Sequence, residues 1–177
     1  GSNFPVGTHS YHVPVDSSLF VQATLSDGNT TSLSSTNVSY NDWVVYSRGR
    51  LGEMTTPVAL SIYDADSNVR NLSFYDLDMD EGEVGGHLLW EEAVDSSQVV
   101  LYRIYFALDV AGTNRSQLGT VEAGGTSFLI VNSTLYNENK QIVVYAQSAL
   151  AEQTTPTSVE IVDHTARVTD VFFRDMD

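Results

Sequence analysis

The chain has 177 residues, enough for one large domain or two small ones, and its 42% hydrophobic content suits a packed core. Its 8 basic and 23 acidic residues give a formal net charge of −15, which argues against nucleic acid and anionic membranes as partners and in favour of cations. With no cysteine, the chain has no disulfide, thiolate metal site or cysteine nucleophile. No run approaches the ~20 apolar residues of a membrane helix. Gly1-Ser2 reads as an expression-tag remnant, and the chain as a piece of a longer one.

Apolar residues recur with period two in short runs bounded by Gly, Asn, Asp and Ser, which predicts strands almost throughout. In chain order the first are expected at 10–15, 20–25, 42–48 and 58–63. The next seven are expected at 69–75, 86–91, 99–107, 117–122, 127–131, 141–148 and 158–162. No segment carries a 3.6-residue period. The run Ile142-Val143-Val144-Tyr145 is β-branched and aromatic, which favours a strand over a helix.

An internal repeat organises these strands. Trp43-Val44-Val45-Tyr46 matches Ile142-Val143-Val144-Tyr145 at an offset of 99 residues (142 − 43). The same offset pairs Leu51-Gly52-Glu53-Met54-Thr55-Thr56-Pro57 with Leu150-Ala151-Glu152-Gln153-Thr154-Thr155-Pro156. It also pairs Asp64 with Asp163, Val69 with Val168, and Phe74-Tyr75-Asp76-Leu77-Asp78 with Phe173-Arg174-Asp175-Met176-Asp177. Residues 13–20 resemble 129–136 at an offset of 116 (129 − 13), so the first copy holds an extra polar, turn-rich insert within 20–41, read as a longer hairpin or surface loop. Three parts follow: the back of a first β-sandwich repeat at 1–66, a complete repeat at 67–165, and the first strand of a further repeat at 166–177.

Seven short strands in about 95 residues predict a β-sandwich. Leu88-Leu89-Trp90 on the second strand of the complete repeat, Tyr102-Arg103-Ile104-Tyr105 on the third, Leu135 before Ile142, Val144 and Ala146, and Pro156 before the last strand resemble a fibronectin type III domain over 69–163. Ile142 and Trp43 stand where that family has its corner tyrosine, and Glu91-Glu92-Ala93-Val94-Asp95 replaces its proline-rich turn. The resemblance implies an all-β chain of tandem immunoglobulin-like or fibronectin type III-like sandwiches. It also implies a secreted or cell-surface setting and a structural or adhesive spacer role, with neighbouring repeats as the main partners.

The densest chemistry is Asp76-Leu77-Asp78-Met79-Asp80-Glu81-Gly82-Glu83. Asp76, Asp78, Asp80, Glu81 and Glu83 repel one another unless a cation sits among them, and Ca²⁺ takes six to eight oxygen ligands. Asp76, Asp78 and Asp80 fit the first three ligand positions of an EF-hand, but the glycine comes one place late and His87 stands at position 12. The stretch is therefore read as a calcium-binding loop of another kind, at a repeat junction, set against a solvated acidic edge that discourages strand pairing. Asp64, Asp66, Asp163, Asp175 and Asp177 recur near the junctions as secondary candidates.

Other motifs carry less. Five N-x-[ST] sequons, at Asn29, Asn37, Asn71, Asn114 and Asn132, are glycosylation candidates and favour an extracellular setting. His9 and His12 would point to opposite faces of a strand, and His87 and His164 have no evident partner. There is no G-x-S-x-G elbow, Gly85-Gly86 reads as a bulge or tight turn, and Arg48-Gly49-Arg50 is no R-G-D. No catalytic role is expected. The alternative is a glycan- or ligand-binding module in which Tyr46 and Tyr145 offer an aromatic platform.

The first copy lacks opening strands while 168–173 is a spare one. Either the 20–41 insert completes the first sandwich, or the spare strand of another molecule does.

Overall fold

The computed structural model describes residues 3–14, 17, 18, 20–25 and 34–174. Residues 20–25 and 34–38 are described through their backbone pairing. The chain is all-β, with eleven strands and no helix among the described residues. It divides into two compact units, Gly1–Asp64 and Ala65–Asp177.

The first unit holds two hairpins. Strand β1 (Phe20–Leu25) pairs antiparallel with β2 (Ser34–Ser39), from Phe20↔Ser39 to Leu25↔Ser34. The tip of the polar insert, 26–33, lies outside the described residues. Strand β3 (Asp42–Val45) pairs with β4 (Val58–Ser61), and each of these sheets has two strands. Residues 10–14 form no strand, contrary to expectation, and no neighbouring segment pairs with them among the described residues.

The second unit holds two sheets. Strands β5 (Arg70–Phe74), β6 (Glu83–Glu91) and β9 (Ser127–Leu135) form the order β5-β6-β9. Strands β7 (Val99–Ala107), β8 (Ser116–Glu122), β10 (Gln141–Ser148) and β11 (Thr157–Glu160) form the order β11-β10-β7-β8. All pairings are antiparallel. The chain changes sheet between β6 and β7, between β8 and β9, and between β9 and β10.

Alternation explains the core. On β6, Val84, Leu88 and Trp90 are buried, while His87 and Leu89 are exposed. They meet Tyr102, Ile104 and Phe106 of β7 and Ile142, Val144 and Ala146 of β10 in one cluster, with Val69 and Ile130. The Trp90 and Tyr102 rings meet edge-on at 5.7 Å across the two sheets, which makes the fold sandwich-like. Gly86, at φ 149°, sits where the β6–β9 register shifts, and a Cβ there would stand 2.6 Å from the Tyr75 carbonyl oxygen. The bulge expected at Gly85-Gly86 is thus required sterically.

A second, smaller cluster lies on the other face of the four-stranded sheet: Tyr105 and Ala107 of β7 with Val143 and Tyr145 of β10. The Arg115 guanidinium covers both rings, 4.6 Å from the Tyr105 centroid and 4.2 Å from that of Tyr145. Glu152 accepts a hydrogen bond from the Tyr105 hydroxyl at 2.7 Å and pairs with Arg115 at 2.6 Å. Hydrogen bonding and charge from Glu152 and the two tyrosine rings hold the guanidinium above its ordinary pKa, outweighing its burial, which acts the other way.

The hairpins β3–β4 and β10–β11 share one register. Asp42↔Ser61, Trp43↔Leu60, Val44↔Ala59 and Val45↔Val58 correspond, 99 residues on, to Gln141↔Glu160, Ile142↔Val159, Val143↔Ser158 and Val144↔Thr157. The bridges Arg48↔Glu53 and Gln147↔Glu152 keep the same spacing. So do the backbone bonds Gly49 N–H to Gly52 and Ser148 N–H to Ala151, both 2.9 Å. Burial differs. Ile142 and Val144 are 0% and 1% exposed, whereas Trp43 and Val45 are 40% and 71% exposed.

Candidate functional site

The acidic stretch forms the turn from β5 to β6. Each aspartate first serves the local backbone. Asp76 Oδ1 accepts from the N–H of Asp78 at 3.0 Å, and Asp78 Oδ1 accepts from that of Asp80 at 3.0 Å. Short acidic side chains cap the backbone two residues on in this way, so D-x-D-x-D is locally a run of turns. Gly82, at φ 90°, closes the run by turning the chain into β6.

The same carboxylates also reach distant parts of the second unit. Asp76 Oδ1 takes a second N–H from Gly85 at 2.9 Å, and Oδ2 takes that of His164 at 3.0 Å, beyond the end of β11. Asp78 Oδ2 accepts from the Ser133 N–H of β9 at 2.6 Å. In return, Asp163 Oδ2 accepts from the Gly82 N–H at 2.8 Å and from the Tyr136 hydroxyl at 3.2 Å. Ala166 N–H reaches the Met79 carbonyl at 3.1 Å, and the Tyr75 and His164 rings stack at 4.7 Å. Asp76 and Asp78 are the two buried polar or charged residues of the described chain. Backbone donors, that of Asp80 foremost and then that of Ser133, hold the Asp78 carboxyl below its ordinary pKa, against the opposing effect of burial.

The five residues expected as cation ligands divide. One oxygen each from Asp78, Asp80 and Glu83 lie within 4.8 Å of one another. Calcium–oxygen distances of about 2.3–2.6 Å place two ligands of one ion no more than roughly 5 Å apart, so this trio fits Ca²⁺. Each Asp78 oxygen already accepts one hydrogen bond and keeps a second lone pair. Asp76 lies outside the trio, with its oxygens turned to three backbone donors. Glu81 pairs with Arg167 instead.

The remaining candidates are dispersed. Asp66 caps Asn68, Asp64 is exposed, and Asp175 and Asp177 lie outside the described residues. His87 is exposed on β6. Asn71 (φ 51°), Asn114 (φ 52°) and Asn132 are exposed. Asn37 is described only through β2 pairing, and Asn29 lies outside the described residues. Tyr145 is buried beneath Arg115, so the aromatic platform is not presented to solvent there, whereas Tyr46 is exposed. Asp163, Tyr136 and Ser133 complete the site without belonging to the acidic motif. The recurrence of Asp64 as Asp163 was their one trace in the sequence.

No protein-family model matches the chain, and no curated protein matches it in sequence.

Proposed function

We propose that this chain is a non-catalytic structural or adhesive module, built from tandem fibronectin type III-like sandwiches and acting as an extracellular spacer. In this reading Asp78, Asp80 and Glu83 take Ca²⁺. The carrying observation is that the 76–83 turn binds the backbone just beyond β11 through Asp76–His164 and Asp163–Gly82. A cation there would stiffen the turn against the segment that follows β11. The shared register of β3–β4 and β10–β11 supports the tandem reading. The strand orders β5-β6-β9 and β11-β10-β7-β8 support the family resemblance, and the exposed sequons at Asn71, Asn114 and Asn132 support an extracellular, glycosylated setting. Neighbouring repeats are the partners.

Thermal unfolding with added Ca²⁺ or with EDTA tests the cation. A ligand at about 100 times its Kd stabilises by about 2.7 kcal/mol, a rise on the order of 10 °C for a unit of this size. The triple variant D78N/D80N/E83Q should lose that rise. Identical melting in both conditions would remove calcium from the proposal.

A second reading, a glycan-binding module, draws on an open hollow of about 610 Å³ lined by Asn114, Arg115, Asn137, Glu138 and Asn139. Amide, guanidinium and carboxylate groups suit sugar hydroxyls.

A further inference from the structure

The β3–β4 hairpin is apolar, exposed and two-stranded, and such a hairpin alone is marginal in water. Its counterpart is covered on both sides, by β7 paired with β10 and by β5 beside β11. Beside β11, the second unit places β5: Val69 is buried in the core, Leu72 and Phe74 pack against that core, and the Thr157 hydroxyl donates to the Val69 carbonyl at 2.9 Å.

The chain carries a second segment of this kind. At the same offset Val168, Val171 and Phe173 stand for Val69, Leu72 and Phe74, so all three inward positions stay apolar. The backbone agrees as well. Asn71 has φ 51°, and its counterpart Asp170 has φ 57°, an uncommon left-handed conformation in both. Yet 168–173 joins no sheet among the described residues, and Val168, Val171 and Phe173 are 87%, 81% and 90% exposed. Val58 stands where Thr157 does, so the hydroxyl that donates to the Val69 carbonyl has no counterpart there.

We infer that 168–173 of one molecule adds to the β3–β4 hairpin of a second copy of this chain, lying beside β4 as β5 lies beside β11. Phe173 alone buries about 150–250 Å², and Val168, Val171 and the backbone of six residues add to it, which makes a contact smaller than the roughly 800 Å² per partner of a standard interface and therefore concentration-dependent. Each copy offers one strand and one acceptor, so the contact is head-to-tail. It draws on the 99-residue repeat but is independent of any cation. A net charge of −15 opposes it, so salt strengthens it.

Light scattering on the full chain, with a concentration series in moderate salt and EDTA present, tests this. The expected mass rises above 19.4 kDa to twice that value or more, and returns to it on dilution. Phe173→Asp and Leu60→Asp should each stay monomeric with unchanged circular dichroism, since both positions are exposed. Mixed together, they should form a capped heterodimer, because one keeps the strand and the other the acceptor. A wild-type monomer at every concentration, an assembly indifferent to either substitution, or a mixture that remains monomeric would overturn the inference. Because EDTA is present, none of these results depends on the calcium reading.

Discussion

Asp76 and Asp78 are both buried, lie two residues apart, and do different things. Asp76 gathers N–H groups from Asp78, Gly85 and His164 and so acts as a backbone tie. Asp78 holds β9 through Ser133 and also turns toward Asp80 and Glu83. Because the folded Asp78 carboxyl titrates below its unfolded value of about 3.9, the unfolded chain binds the proton first. Its contribution is therefore complete above about pH 4 and is lost as pH falls toward the folded value. Asp78→Asn should lower stability at pH 7 and flatten the decline below pH 4, as measured by urea unfolding across a pH series. The motif was legible in sequence because three aspartates in alternation are conspicuous. What it binds was not, because Ser133 arrives from β9 and His164 from the segment beyond β11, and neither sequence gives any sign of the meeting.

Among elements, β7 and β10 were readable end to end, since β-branched and aromatic residues with clear bounds admit little else. Strand β2 was not. Ser34–Ser39 contains one apolar residue, Val38, and its strand character comes from pairing with β1. The expected strand 42–48 shortens to Asp42–Val45, with Arg48 kept as an isolated bridge. The outer cluster of β7 and β10 was also unforeseen, because Arg115 belongs to the approach to β8 and Glu152 to the turn before β11. That cluster makes Arg115 a structural residue. Arg115→Ala should cost about 2 kcal/mol through loss of its cation–π contacts and its pairing with Glu152, seen as a lower urea midpoint at unchanged slope. Arg115→Lys should recover only part, since an ammonium lacks the planar fork that spans both rings and the carboxylate.

At the scale of the whole molecule, the described side chains of the two units differ in how far they are enclosed. The second has a core drawn from both of its sheets, while β3 and β4 of the first are exposed along their whole length. Protection from hydrogen exchange should follow that difference. Amides of Val44, Val45 and Leu60 should exchange orders of magnitude faster than those of Ile142, Val143 and Val144, as read by mass spectrometry on dilute monomer. Equal protection in the two hairpins would show that the first unit encloses a core of its own. The sequence match at an offset of 99 residues falls on two hairpins of the same register, but sequence similarity says nothing about which of them has neighbours to cover it.

The ties between the 76–83 turn and the backbone beyond β11 have a mechanical consequence. A pull on the two ends of the second unit enters at β5 and leaves past His164. The bonds from His164 to Asp76 and from Gly82 to Asp163 stand between those points of loading. They act as a latch that must open before tension can peel β11 from β10. The latch is made of two carboxylates accepting from backbone N–H groups, so the resistance of the unit to extension rests on two charge-assisted hydrogen bonds loaded together.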